Sequence, residues 1–172
     1  MNYLCYQQLD FKTHLFNLCS RNKECTPNTI FDLRYLFIPV NIRFTHWFLV
    51  TVKMDTTHPT ITVCDSSSSS PRTSRMDYLN HVHQYIQDEY AKVYGNKPDK
   101  QWVDRWTLID CGGSYNDVPQ QQNGYDCGIF TCLFVFFMVM SFELKFDQSH
   151  VDLYRPIFAL STIDGKLRYH HE

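Results

Sequence analysis

The sequence predicts an α+β fold, and three observations carry that reading. Runs rich in β-branched and aromatic residues stand at 36–40, 46–53, 60–65 and 106–111. Apolar residues at helical spacing cover Met76 to Tyr94. A nearly unbroken apolar stretch of 14 residues runs from Ile129 to Phe142. With 172 residues, 44% of them hydrophobic, the chain can bury a core as one domain.

The first strand, LFIPV at 36–40, carries Pro39, which confines it to a sheet edge or an end. HWFLVTVK at 46–53 and TITVCD at 60–65 are separated by Met54 to Pro59, where Asp, Thr and Pro supply turn chemistry. The two strands are therefore expected to form an antiparallel hairpin. A turn centred near Asp55–Thr57 pairs residues whose numbers sum to about 111–113. His46 then lies opposite Asp65, within a residue or two. An imidazole and a carboxylate meet at the open end of the hairpin.

The run Ser66 to Ser70, followed by Pro71, reads as an exposed loop. In the following helix, apolar residues recur at 76, 79, 82, 86, 90 and 93. Ser74 can cap its start, Asp77 falls in the first turn, and Gly95 and Pro98 end it. WTLIDC at 106–111 is a further strand, and a polar loop from Gly112 to Asp117 follows. The apolar stretch at 129–142 is too short for a membrane span, which needs about 20 residues. Apolar on every side, it is expected to be the buried central helix of a soluble domain.

Sixteen basic and 18 acidic residues give a formal charge of −2, which makes no electrostatic case for nucleic acid or an anionic membrane. The 13 Phe and 11 Tyr require a dense aromatic interior or an apolar surface awaiting a partner. Seven cysteines stand at 5, 19, 25, 64, 111, 127 and 132. Their odd number, and a start (MNYLCYQQLDF) unlike a signal peptide, indicate a reducing intracellular setting with cysteines as small core residues. No C-x-x-C pair occurs, so no structural zinc is expected. His81 and His83, two apart on a helix, point to different faces and do not share a metal. Tyr125 and Cys132 read as packing residues.

Cys127 stands out by position, between a polar Gly-containing loop and the apolar helix. A thiol at a helix N-terminus meets unpaired N–H groups and the positive end of the macrodipole, both of which favour the thiolate. Gly128 lets a carbonyl approach the backbone, nearby N–H groups and an upstream Gln amide can hold an oxyanion, and Asp126 can act as the helix N-cap. A nucleophilic thiol needs a base, and the base an orienting group. His46 with Asp65 supplies that pair, although this spacing also suits simple packing roles.

The segment PQQQNGYDCG at 119–128 closely resembles the active-site motif of the Ulp/SENP family, cysteine proteases acting on SUMO and related ubiquitin-like modifiers. VNIRFTHWFL at 40–49 resembles that family's His-Trp strand, and VCDS at 63–66 its Asp strand, in the same order. The resemblance implies a papain-like core, a small mixed sheet flanked by helices. It makes Cys127 the nucleophile, His46 the base, Asp65 its orienter and Gln121 the oxyanion-hole side chain, with neighbouring Gln120 and Gln122 one register step away. Trp47 would cover, and Gly128 line, a channel that admits the modifier's Gly-Gly tail and excludes bulkier peptide ends.

The implied enzyme is a thiol hydrolase that needs no metal or cofactor. It would be a monomer in nucleus or cytoplasm, with SUMO or a relative as partner. Residues 1–172 are expected to be one catalytic domain. The family's Trp-Leu-Asn-Asp-like N-terminal segment has no counterpart, since residues 1–30 contain no Trp. A deubiquitinase-like enzyme of the same fold, an adenain-like processing protease and an inactive modifier-binding module are the alternatives.

Overall fold

A computed structural model describes residues 29–112 and 118–164. Two compact units divide between Leu33 and Arg34. Of the first, the described part is a 3-10 turn, Ile30–Asp32, closed by a capping box between Thr29 and Asp32.

The second unit is built on a sheet of β1 (Tyr35–Ile42), β2 (His46–Lys53), β3 (Thr60–Asp65) and β4 (Thr107–Gly112). The strands lie in that order; β1–β2 and β2–β3 are antiparallel, β3–β4 parallel. The sheet is therefore mixed, and β1 holds Pro39 at its edge as expected. Leu49 faces Cys64 and Lys53 faces Thr60, the upper end of the expected register. A parallel neighbour requires a crossover. Helix α1 (Arg72–Tyr94) and the short α2 (Lys100–Asp104) supply it. Helices α3 (Cys127–Val139) and α4 (Gln148–Asp164) follow.

Strand β2 is buried on both faces, so its side chains serve two cores. Phe48, Val50 and Val52, with Ile61 and Val63, share the face covered by α1, whose Leu79, Val82 and Ile86 are buried. Phe48 meets Tyr78 of α1 edge-on at 5.3 Å. Leu49, Thr51 and Cys64 face α3; the Thr51 hydroxyl donates to Met138 Sδ at 3.6 Å. There Phe130, Leu133, Phe134, Phe137 and Phe146 form the aromatic interior that the composition demands. Gly95 ends α1 in the left-handed region at φ 78°, as expected of a glycine there.

Several expectations need correction. Helix α1 begins at Arg72 behind Pro71, and no side chain caps it, so Ser74 lies inside the first turn. Arg75 rather than Met76 takes the fully buried position ahead of Leu79, and Val93 is exposed. Ser66 is buried, so only part of the serine run is open loop. Helix α3 is not buried on all sides: Cys132 and Val139 are exposed, because no described element covers that stripe. Tyr125 is 79% exposed and packs behind nothing. Helix α4 had no counterpart in the apolar pattern; it carries Pro156 in its interior, a residue that ordinarily argues against a helix.

Candidate active site

The site forms where one end of the sheet meets the start of α3. Arg43 and Phe44 turn the chain from β1 into β2 with φ of 51° and 61°, a left-handed pair unusual for non-glycine residues. His46 is the first residue after that turn. Its Nε2 lies 2.7 Å from Asp65 Oδ1, at the last residue of β3. Asp65 is fully buried, and the Ser67 N–H donates to the same Oδ1 at 2.9 Å. With Nε2 held by the carboxylate, Nδ1 is the ring nitrogen left to exchange a proton.

Cys127 opens α3. The first helical bond runs from the Phe130 N–H to the Asp126 carbonyl, so the N–H groups of Cys127, Gly128 and Ile129 have no acceptor within the helix. Gly128 sits under Trp47: a Cβ there would lie 3.8 Å from the indole Cδ1. Trp47 is 41% exposed, so it is a surface lid on this helix end rather than core. Beyond it, an apolar groove of about 450 Å3 follows the open stripe of α3, between Pro39 and Trp47 on one side and Phe158 on the other.

The three glutamines separate by environment. Gln120 is buried and its amide donates to the Asp65 carbonyl at 3.0 Å and the Val118 carbonyl at 3.2 Å. Gln121 is partly buried; its Oε1 accepts from Ser66 Oγ at 2.7 Å and its Nε2 donates to the Asn123 carbonyl at 2.6 Å. One N–H of that amide remains. Gln122 is exposed, and its backbone N–H donates to Gln148 Oε1 at 2.9 Å. The Asp65–Ser66 segment is thus tied to the Gln loop at both neighbouring glutamines.

Asp126 stands at the N-cap position, but its carboxylate makes no cap bond to the helix. It instead accepts from Asn123 Nδ2 and Gln148 Nε2, each at 2.6 Å, and pairs with Arg155 of α4. Burial would raise its pKa, yet those three partners outweigh burial and hold the carboxyl below its ordinary value. Among the other thiols, burial pushes Cys64 far up, which makes it a poor nucleophile. Partial desolvation raises Cys132 although that residue is open to solvent. Desolvation lowers His83, whose ring is tilted against Trp106 at 6.2 Å, away from this site. Among the described residues, no three His, Cys, Asp or Glu are grouped to hold a metal ion.

The residues that the sequence singles out, His46, Asp65, Cys127, Gln121, Trp47 and Gly128, lie together at one end of the sheet. The sequence does not single out Ser66, Asn123, Gln148, Arg155 and Arg75. Only Arg75 left a readable signal: it stands four residues before Leu79 and seven before Val82, in the inward register of α1.

A mixed sheet with helices on both faces, and a cysteine opening the helix beside a His–carboxylate pair, has the architecture of the papain-like cysteine proteases. Within that class the chain can be assigned more closely. Residues 5–166 match the Ulp1 protease family, C-terminal catalytic domain, and the chain belongs to that family. It is 31% identical over 133 residues to Ubiquitin-like-specific protease 1 of Saccharomyces cerevisiae, covering 77% of this chain and 19% of that protein. It is 30% identical over 138 residues to Sentrin-specific protease 2 of Rattus norvegicus, covering 80% of this chain and 21% of that one. The chain thus spans about a fifth of these relatives' length. The X-ray structure of the yeast C-terminal Ulp1 protease domain, in complex with the SUMO ortholog Smt3, superposes with a TM-score of 0.63. That match has 23% identity and covers 92% of this chain and 67% of that one, and it bears on the fold.

Proposed function

We propose that this chain is a cysteine-type peptidase and isopeptidase that cleaves after the C-terminal Gly-Gly of SUMO or a related ubiquitin-like modifier. The observation that carries the reading is the 2.7 Å bond between His46 and the buried Asp65, at the sheet end where Cys127 opens α3. In this reading His46 Nδ1 takes the Cys127 proton, and the thiolate attacks the carbonyl carbon of the terminal glycine. The free N–H of the Gln121 amide and the backbone N–H groups of the α3 start stabilise the oxyanion. His46 then protonates the leaving amine, and water hydrolyses the thioester. Trp47 covers the α3 start closely, with its indole 3.8 Å from where a Gly128 Cβ would stand, and such a crowded approach suits a peptide end without side chains, which supports the Gly-Gly preference. The relatives' names point to SUMO as the modifier. No described helix is long and apolar enough to cross a membrane, and we read the workplace as nucleus or cytoplasm.

The test is covalent labelling with full-length modifiers that carry a C-terminal thiol-reactive group, beside a Cys127→Ala control. A Cys127-dependent adduct with a SUMO-type modifier is the expected result. An adduct with ubiquitin alone would move the assignment to a deubiquitinase, and none at all would make the chain a binding module.

A further inference from the structure

The pairing of β3 with β4 builds a second polar layer behind the His46–Asp65 pair. Val63 is in register with Asp110 and Asp65 with Gly112, so Asp65, Asp110 and Gly112 share the sheet face covered by α1. From the first turn of α1, Arg75 reaches into that layer with its side chain 4% exposed. Its Nε donates to Asp110 Oδ1 at 2.7 Å and its Nη2 to Asp110 Oδ2 at 3.2 Å and the Gly112 carbonyl at 3.0 Å. Nη1 donates to the Ser70 carbonyl, the far end of the loop whose Ser67 N–H binds Asp65.

A guanidinium has five N–H donors, and these contacts use four. The remaining one is on Nη1, which lies 3.9 Å from Asp65 Oδ2. That oxygen is buried and has no hydrogen-bond partner among the described residues. Two buried carboxylates, Asp65 and Asp110, therefore share one buried cation; Arg72 approaches only Asp110, at 3.7 Å, from the surface. Gly112 is needed for this packing: a Cβ there would come within 2.4 Å of Arg75 Nε.

We propose that Arg75 is a positioning residue of the active site, bracing the Asp65 carboxylate and the 66–70 loop so that Asp65 holds the His46 ring toward Cys127. This rests on the reading of Cys127 and His46 as nucleophile and base. The guanidinium acts in two ways. It compensates the oxygen of Asp65 that His46 does not use, and it anchors the loop that feeds the Ser67 N–H to the other oxygen. Buried charges left without such compensation rearrange or leave their geometry.

The test measures iodoacetamide alkylation of Cys127 relative to Cys132 in the full chain, resolved by peptide mass spectrometry. Cys132 lies on the exposed stripe of the same helix and reports general loosening, which would raise both rates. Cys127 of the wild type should react faster than Cys132, and Asp65→Asn should reduce the ratio. Arg75→Gln and Gly112→Ala should each lower it about tenfold, the effect of losing a charge-assisted contact. Arg75→Lys, which keeps the charge, should recover part of it. If Asp65→Asn lowers the ratio while Gly112→Ala and Arg75→Gln stay within about twofold of wild type, the role of Arg75 is overturned and the triad stands. If the wild-type Cys127 is no faster than Cys132, the triad itself fails. Should Arg75→Gln lose its cooperative melt, Gly112→Ala and Arg75→Lys decide, since both retain the cation.

Discussion

Removing the Asp126 carboxylate should separate α4 from the start of α3 and destabilise the domain by about 2–4 kcal/mol. The carboxylate is 3% exposed and accepts two short bonds from Asn123 and Gln148. Hydrogen bonds to a charged group contribute about 1.5 kcal/mol each at the lower end of their range, hence about 3 kcal/mol together. Arg155 is half exposed, so solvent screening limits its pairing to about 0–1 kcal/mol. The cost of burying the charge offsets part of this sum. For a chain of this size each kcal/mol shifts Tm by roughly 3 °C, so Asp126→Ala should melt about 6–12 °C lower at pH 7.

The pH dependence has a definite sign. The folded-state pKa of Asp126 lies below the ordinary 3.8, because its three donors outweigh burial. Its contribution is therefore fully present above the unfolded value and is lost as pH falls through the folded value. Circular-dichroism melts of wild type and Asp126→Asn should differ at pH 7 and converge on acidification, since a protonated Asp resembles Asn in charge. A variant within about 0.5 kcal/mol of wild type at pH 7, or a gap that acid does not narrow, would refute the argument.

The neighbouring glutamines should part company on mutation. Gln121→Ala should lower kcat about 100-fold, as for loss of an oxyanion donor, beyond the Tm it loses with the Ser66 and Asn123 bonds. Gln120→Ala should lower Tm, because its buried amide ties the Asp65 and Val118 carbonyls. Steady-state hydrolysis of a modifier with a fluorogenic C-terminal amide, beside melts, separates the two. Trp47→Ala should raise KM and narrow the preference for Gly-Gly over Gly-Ala tails, read with the same substrate in both forms. Phe134→Ala removes a fully buried ring from the α3 core and should cost about 3–5 kcal/mol by denaturant unfolding.

The parts of this molecule legible in its sequence are those fixed by local signals. The β2–β3 hairpin could be placed because its turn residues and alternating strands specify a register, and that register brings His46 within two residues of the position opposite Asp65, on the same face. Cys127 could be placed because a polar loop meets an apolar run there. The motif resemblance then distinguished this cysteine from six others. What escaped depends on contacts that no local pattern encodes. Helix α4 interrupts its own pattern with Pro156, yet it supplies Gln148 and Arg155 to Asp126, the residue before Cys127. The uncovered stripe of α3 misled for the opposite reason: its composition is apolar throughout, and composition cannot tell a covered face from an open one. Arg75 is the instructive case. Its inward register could be counted from Leu79 and Val82, but an arginine there has meaning only with a partner. That partner, Asp110, faces it because β4 runs parallel to β3 in one register. A one-residue slip of β4 would turn Asp110 to the other face, and in one direction it would bring Cys111 where Gly112 now leaves room. The crossover through α1 thus fixes at once the strand register, the buried cation and the wall behind Asp65, which is why a change at Gly112, outside the proposed triad, should be felt at Cys127.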